Sequence, residues 1–563
     1  MSVFIGYPSF MAYQMMKGKK GNNDGFPSIP GMIARYSGAG LTNEQMAENP
    51  VWVDKTGNGH DLQMKNFAWG GMSGVGGYNQ NFNQWGYGNL PPALQTYTPH
   101  KVELNIPSTL KTGNIYSNLG KEGDIYDFTL KIVGLKDGAS LRITKGVVSG
   151  NIERIEKDGI YKIYQPLETS WDQLRIYIVI SNPNLVDLNI TIEQLPIYPG
   201  ALVFDGVDDY GVCDNFPILT KEKGYTVVAL RQWITRGEIA QGLVSNVKNW
   251  LKDGAFLLEY RNIQADHLNK PISFGAIGSE MDLPHILTYQ TSKSYNGVSI
   301  TTGNFEGTDV LHVGKLAPTN VGTCINAAIW ELVFLDHDAT EEELTKIKDY
   351  FVKTYPWLFP DQAWTVTGKT NEDEDRATIA NITGNGNDLV LSNFGFIEGS
   401  GYNKEGEYAG YLVTDGVDDK VVSAESIAFT DTWTIITDTV FLGKVSVASG
   451  ILASNIFTVY NYQGSGTIAV AMGEGGSSLR VITSSIKAFS SDGTIYDAEW
   501  NEYHVEIGTI RALERLLKIG TSSNETSYFC QLAFKFLGIY NNQILSKDDC
   551  IKAYNYLQTL KAK

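Results

Sequence analysis

Between Lys101 and Leu195 apolar and polar residues alternate with a period of two, in six short runs. They read KVELNIP from Lys101, YDFTLKIVGL from Tyr126, ASLRITKG from Ala139, GIYKIYQP from Gly159, LRIYIVISN from Leu174 and LVDLNITIEQL from Leu185. Polar turns separate them, so they predict antiparallel strands with one buried face. Longer apolar runs, YTVVALRQW from Tyr225 and WTIITDTVF from Trp433, predict more deeply buried strands. Helical spacing occurs in two places. In AAIWELVFLDHDATEEELTKIKDYF (Ala327 to Phe351) and LAFKFLGIYNNQILSKDDCIKAYNYL (Leu532 to Leu557) an apolar strand leads through a polar turn into a short helix. Thr340 and Ser546 are the predicted N-caps, with Glu343 and Asp549 three residues on. Leu344, Ile347 and Phe351 form the inner face of the first helix, and Cys550, Ala553 and Leu557 that of the second.

These two segments belong to a larger repeat. TGNGHDLQMKNFAW from Thr56 is echoed by TGNGNDLVLSNFGF from Thr383, and GLTNE at Gly40 by GKTNE at Gly368. VFDGVDDY at Val203 is echoed by VTDGVDDK at Val413. The order of motifs is the same in both copies, which argues for duplication of a whole domain rather than a solenoid of short units. Thr56 and Asp205 are 149 residues apart but Thr383 and Asp415 only 32, so the first copy carries about 117 extra residues. The alternating runs lie in that excess, between the proline-rich flanks LPPALQTYTPH and LPIYPG. The expected organisation is an N-terminal anchor or tail (1–30), a first copy in two parts (31–94 and 198–358), an inserted small β-sandwich (95–197) and a second copy (359–563). Loop tips are where domains are inserted with least damage.

Composition narrows the function. The chain has 563 residues and a net charge of -17, which disfavours contact with phosphate backbones and predicts no nucleic-acid role. No apolar run is long enough to span a membrane. The N-terminus is apolar first and basic afterwards, the reverse of a secretory signal. Cys213, Cys324, Cys530 and Cys550 form no CxxC pair and are expected to be buried thiols rather than zinc ligands.

The acidic motifs have two readings. Asp205, Asp208 and Asp209, and likewise Asp415, Asp418 and Asp419, could hold calcium. They are also what a tight turn uses, with Gly206 or Gly416 at an unusual φ and Asp side chains capping local amides. The turn reading is preferred, because the alternating ligand spacing of a calcium loop is missing. The Asn-Gly steps after Thr56 and Thr383 read as turns for the same reason. In the loop NFAWGGMSGVGGYNQNFNQWGYGNL, Trp69, Tyr78, Trp85 and Tyr87 could offer aromatic faces to a sugar or pack inward. Trp233, Trp330, Trp433 and Trp500 sit in or beside apolar runs and are expected in the core.

FDGVDDY, the β-rich YTVVALRQW and the terminal ELVFLDHDATEEELTKIKDYF together resemble the concanavalin A-like lectin/glucanase (laminin-G-like) superfamily. That resemblance covers most of the chain and implies an all-β protein: two jelly-roll sandwiches, the first interrupted by the small inserted one. The fold hosts lectins, hydrolases and spacers alike. The stretch from ARYS through VWVDKTGNGHDLQMKNFAWGGMSGVGG is similar to virion fibre or appendage proteins of Bacteroides and crAss-like phages. This implies a virion structural protein of head or tail, made in the host cytoplasm, forming a dimer or trimer. Its N-terminal segment would meet capsid or tail proteins, and its modules would adhere to host-surface glycan. The alternative is a bacterial extracellular or cell-surface carbohydrate-binding protein, with a glycoside hydrolase behind both.

Glucanases of that superfamily carry Glu-x-Asp-x-x-Glu or a close variant on one strand, and retaining chemistry needs carboxylates about 5 Å apart. Here Glu372, Asp373, Glu374 and Asp375 fall in a polar loop, Glu280 and Asp282 lack a third partner, and Glu259 is alone. The seven histidines (His60, His100, His267, His285, His312, His337 and His504) make no His-Glu-x-x-His, and no Gly-x-Ser-x-Gly elbow is present. The expectation is a protein with no catalytic residues, no cofactor and no metal site.

Overall fold

A computed structural model describes residues 24–117, 125–145, 151–166, 174–182, 187–219, 222–235, 241–247, 257–261, 274–277, 287–299, 307–315, 324–443, 449–454, 457–461, 467–472, 478–508, 514–521 and 529–562. The fold is all-β, with antiparallel sheets stacked as sandwiches and a helix closing each copy of the repeat. Among the described residues no helix is long and apolar enough to cross a membrane. The chain divides into two compact units: residues 1–83, 198–281 and 285–354, and residues 84–197, 282–284 and 355–563.

The first unit is the first copy. At the centre of its front sheet the long strand Asn326–Leu335 pairs with Thr226–Thr235, Leu202–Asp205 and Met32–Ser37. The back sheet runs through Leu62–Lys65, Tyr210–Cys213, Gly307–Val313 and Gln241–Val247. Between them lie Tyr36, Trp52, Leu62, Phe204, Tyr225, Leu311, Ile329 and Phe334, all buried. Between Leu230 and Arg231 the pairing register slips from Glu331 to Ile329, a β-bulge that leaves Trp330 of Asn326–Leu335 as the extra residue.

The second unit holds the second copy and the inserted sandwich. In the second copy, strand Leu532–Asn541 pairs with Trp433–Phe441, Leu412–Val413 and Gln362–Thr365, and the register slips after Asp438. The matching position of the bulge fixes the alignment of the copies: Leu230 corresponds to Asp438. Trp364, Trp433, Phe457, Phe489 and Leu537 fill the core.

The six alternating runs form strands Lys101–Ile106, Ile125–Val133, Ala139–Lys145, Gly159–Pro166, Leu174–Ile180 and Leu188–Gln194. Thr112–Tyr116, Asn151–Ile155, Gly86–Tyr87 and Gln95–Tyr97 complete two five-stranded sheets. Gly86–Tyr87 pairs with Thr112–Tyr116, so the sandwich takes in chain ahead of residue 95. It meets the second copy through Lys157 Nζ on Glu499 Oε2 (2.5 Å), Lys162 Nζ on Gln558 Oε1 (2.8 Å) and Asn555 Nδ2 on the Pro196 carbonyl (3.4 Å).

The closing helices, Glu341–Thr354 and Lys547–Gln558, begin as their sequences predict. The Thr340 N–H donates to Glu343 Oε2 (2.9 Å) while the Glu343 N–H donates back to Thr340 Oγ (3.3 Å), a reciprocal cap. Ser546 Oγ accepts from the Asp549 N–H at 3.2 Å. Ile347, Phe351, Cys550, Ala553 and Leu557 are buried.

Candidate functional site

The repeated motifs converge on one place in each copy, where the acidic turn meets the loop that follows the TGNG strand. In the turn, Asp205 Oδ1 accepts from the Val207 N–H (2.8 Å) and Asp209 Oδ2 from the Asp205 N–H (3.1 Å). In the second copy Asp415 and Asp419 make the same bonds at 2.7 and 2.8 Å. Gly206 and Gly416 have φ of 81° and 78°, a conformation that side chains oppose. Val207 and Val417 stand exposed at the tips.

The loop is clamped on the turn from three sides. Asn66 Nδ2 donates to the Asp208 carbonyl and Asn393 Nδ2 to that of Asp418, each at 3.0 Å. Ser73 Oγ donates to Asp209 Oδ1 (3.1 Å) and accepts from the Ala68 N–H (2.8 Å), while Ser400 Oγ accepts from the Gly395 N–H at 2.8 Å. The third contact comes from the repeated Thr-Asn-Glu. Asn43 accepts from the Val75 N–H (2.7 Å) and donates to the Val75 carbonyl (3.0 Å), and Asn371 does the same to Tyr402 at the same distances. A Cβ on Gly74 or Gly401 would collide with that asparagine, which is why glycine stands there in both copies. Held this way, Trp69 and Phe396 take φ of 50° and 52°, rare for aromatic residues.

The TGNG turns are held by equivalent bonds. Asn58 Nδ2 donates to the Ile33 carbonyl and Asn385 Nδ2 to that of Asp361, both at 2.8 Å. Asp54 accepts from the N–H groups of Arg35 and Thr56, and Asn381, its counterpart, from those of Ala363 and Thr383.

Electrostatically the two turns are unusual. One carboxylate oxygen from each of Asp205, Asp208 and Asp209 lies within 4.8 Å of the others, and Asp415, Asp418 and Asp419 repeat the arrangement. Burial, with Asp205 and Asp208 adding repulsion, raises Asp209 to about 7. Asp419 is raised to about 6, again chiefly by burial. The inner carboxyl of each turn therefore takes up a proton more readily than an ordinary carboxylate, and it braces the turn by accepting hydrogen bonds.

Three of the carboxylates weighed for hydrolysis are engaged locally. Glu372 pairs with Lys404 (2.9 Å), Asp375 with Lys369 (2.6 Å), and Asp373 accepts from the N–H and hydroxyl of Thr370 (2.9 and 2.7 Å). Hydrogen bonds hold Glu372, through Lys404, and Asp373, through Thr370, below the ordinary carboxylate range, whereas a general acid needs its pKa raised. Glu280 and Asp282 lie outside the described residues, as does the side chain of Glu259. His267 and His285 lie outside them too. His337 bridges Asp336 (3.1 Å) and Glu343 (3.2 Å) at the start of its helix.

The aromatic loop turns inward. Trp69, Tyr78 and Trp85 are buried, and Trp69 stacks on Phe67 with ring centres 4.7 Å apart. Trp233, Trp330, Trp433 and Trp500 are buried, as are all four cysteines, which are free thiols. Tyr87 lies on strand Gly86–Tyr87, its side chain outside the described set.

Sequence reasoning missed the buried ion pairs beneath the closing helices. Arg35 meets Glu331 through Nε (3.0 Å) and Nη2 (3.1 Å), and also bonds Asp24 (2.8 Å) and the Tyr350 hydroxyl (2.9 Å), with Phe26 lying 4.0 Å from its guanidinium. In the second copy Lys487 meets Asp438 (2.9 Å) and the Tyr554 hydroxyl (2.5 Å), and the Tyr411 hydroxyl donates to Asp438 (2.9 Å). Burial opposes the charge on Asp438, but Lys487, Lys535 and the Tyr411 hydroxyl outweigh it and hold the carboxyl below its ordinary range.

No protein-family model matches the chain, and no curated protein matches it. Among solved structures, a Trypanosoma rangeli sialidase in complex with sialic acid is similar at 9% identity and a TM-score of 0.25, over 82% of this chain and 83% of that one. The binding domain of botulinum neurotoxin serotype D gives 8% identity and a TM-score of 0.21, over 62% and 88%. Superpositions this loose carry no argument about what this chain does.

Proposed function

We propose that the chain is a non-enzymatic structural protein of a phage virion, a head or tail fibre or appendage, whose paired lectin-like modules face the host surface and adhere to its glycans. One observation carries the non-enzymatic part. The polar motifs that the two copies share hold a loop against the frame, and Glu372, Asp373 and Asp375 are each engaged by a local partner. Duplication has kept a scaffold, which is what a display or spacer protein needs. The virion part rests on the resemblance of the segment around TGNGHDLQMKNF to fibre and appendage proteins. Asp24 and Phe26, fastened on Arg35, give a fixed point where an N-terminal anchor would leave the first copy. Attachment to a symmetric particle calls for an oligomer, and a dimer or trimer serves.

Cryo-electron microscopy of particles purified from the source lysate tests this. The expected result is density for this chain in a symmetric assembly, with residues 1–30 against capsid or tail protein. Particles that lack the chain would overturn the virion reading and leave a bacterial surface carbohydrate-binding protein in its place.

A further inference from the structure

Adhesion needs a binding surface, and the aromatic loop of the first copy does not supply it because its described rings are buried. The inserted sandwich offers one. In the sheet built on its strand Ala139–Lys145, alternation sends Leu141, Ile143, Ile155, Ile176 and Ile178 into the core. Their neighbours in sequence stand on the outer face, and the pairing register fixes which of them meet. Arg142 lies directly across from Arg154 on one side and from Tyr177 on the other. Two residues along, Thr144 lies directly across from Arg175, and Arg175 from Tyr116. Side chains directly opposite have Cβ atoms about 5 Å apart, and diagonal ones about 7–8 Å. Arginines from three adjacent strands therefore share one patch, with Thr144 beside two of them.

Two features of this patch are unfavourable while it is empty. Like charges directly opposite on neighbouring strands repel, as Arg142 and Arg154 must. Glu156 answers Arg154 at 2.9 Å, but the two side chains are 58% and 64% exposed, where water weakens such a pair. Arg142 makes no hydrogen bond or ion pair among the described residues. Its guanidinium carbon lies 5.8 Å from the centre of the Tyr177 ring, a contact that steadies the side chain and leaves its N–H donors to a ligand. The second feature is Thr144, which is 5% exposed and whose hydroxyl has no hydrogen-bond partner. A buried hydroxyl without a partner destabilises a fold. Arg175, with its guanidinium carbon 5.4 Å from the centre of the Tyr116 ring, flanks that hydroxyl. A Cβ on Gly86 would collide with the same ring, so glycine leaves it its place. One oxyanion relieves both defects, because it answers the arginines and accepts from the hydroxyl.

We propose that Arg142, Thr144 and Arg175 form an oxyanion site for an acidic saccharide. A carboxylate or sulfate of the sugar accepts from the Arg142 guanidinium and the Thr144 hydroxyl, with Arg175 and Arg154 adding charge at its flanks. A net charge of -17 opposes a long phosphate backbone, whereas a single charged group on a sugar meets only this patch. The site rests on the adhesion reading and gives it a place and a ligand class. Contact at one shallow face is weak singly and gains strength from the copies in an oligomer.

Titration calorimetry on the full chain tests this with tetragalacturonate and a sulfated carrageenan tetrasaccharide, against neutral galactotetraose and an oligothymidylate. The better acidic sugar is expected to bind at least about tenfold more tightly than the neutral one, and which of the two it is tells carboxylate from sulfate. Arg142→Gln should weaken that sugar about tenfold and, by relieving the repulsion with Arg154, leave the melting temperature unchanged or higher. Thr144→Val, which is isosteric, should weaken binding while raising the melting temperature, since it removes the unsatisfied hydroxyl. A merely structural threonine would not move the two readouts in opposite directions. If acidic sugars bind but Arg142→Gln binds them equally well, this site falls and the adhesion reading stands. Equal binding of the neutral sugar overturns the ligand class, and tighter binding of the oligothymidylate overturns the saccharide. If neither these sugars nor any on an array of acidic and neutral glycans binds, site and adhesion reading fall together.

Discussion

The same outer face of the front sheet has opposite chemistry in the two copies. Where the first copy places Leu230 and Trp330, the second places Asp438 and Lys535. Tyr198 packs against Trp330, whose indole donates to the Pro199 carbonyl at 2.9 Å. The second copy instead builds a network of Asp438, Lys487, Tyr411 and Tyr554, and it is this copy that the inserted sandwich meets. Beneath that difference the loop clamps are nearly superimposable bond for bond. Duplication has preserved what holds the loops and changed what covers the sheet. A face that must receive a particular neighbour is where divergence is useful, because charge selects a partner more sharply than apolar packing does.

The largest way to break the comparison is to cut one buried ion pair at a time. Asp438→Ala leaves Lys487 buried without its carboxylate and should cost about 3–5 kcal/mol, whereas Glu331→Ala leaves Arg35 its half-buried partner Asp24 and should cost less, toward about 3 kcal/mol. Denaturant unfolding followed by hydrogen exchange should show the Asp438 loss in the second unit alone and the Glu331 loss in the first unit alone. Replacing both partners by apolar residues, Arg35→Met with Glu331→Leu, should recover most of the loss.

The shared clamps should respond alike. Asn43→Ala and Asn371→Ala each remove two backbone hydrogen bonds inside a buried loop, a loss of about 1–3 kcal/mol in either copy. Hydrogen exchange at Val75 and Tyr402 reads it directly. A loss confined to one copy would show that the asparagines do different work.

A smaller effect follows from pH. The folded state raises Asp209 to about 7 and Asp419 to about 6, above an ordinary carboxylate, so folding takes up protons. Each carboxyl then contributes stability that is complete only below the ordinary carboxylate range and is lost as pH rises through the raised value. The loss should extend to higher pH in the first copy, and Asp209→Asn, a neutral isostere, should flatten it when melting is followed from pH 5 to 8. The smallest effect belongs to the exposed tips. Val207→Ser and Val417→Ser should each change stability by less than about 0.5 kcal/mol, as a melting curve would show.

Much of this was legible in the sequence, and the reasons differ by element. The inserted strands declared themselves because one face is buried, which forces a period of two. The helix starts were readable from Thr340 with Glu343 and Ser546 with Asp549, since a cap is a local bond. The acidic turns could be read as turns because a bond spanning two or four residues needs no distant partner. Thr-Asn-Glu was visible as a repeat, but its role was not, because Asn43 and Val75 are brought together only by the fold. Arg35 and Glu331 are 296 residues apart and each falls within a strand, where a charge reads as solvent-facing. Asp438 misleads in the same way, because the helix and the network that cover it come from elsewhere in the chain. That the inserted sandwich meets the second copy, although it interrupts the first, has no local signature at all.

The measurement that tests the scaffold account most directly is hydrogen exchange of residues 66–75 and 393–402, in calcium and in chelator, for the wild type and for Asp209→Asn with Asp419→Asn. If the acidic turns are hydrogen-bonded braces, protection is the same with and without calcium, and the double variant keeps it at pH 8. If calcium raises protection in the wild type and the asparagines abolish that gain, the turns are cation sites and the shared motifs are more than scaffold.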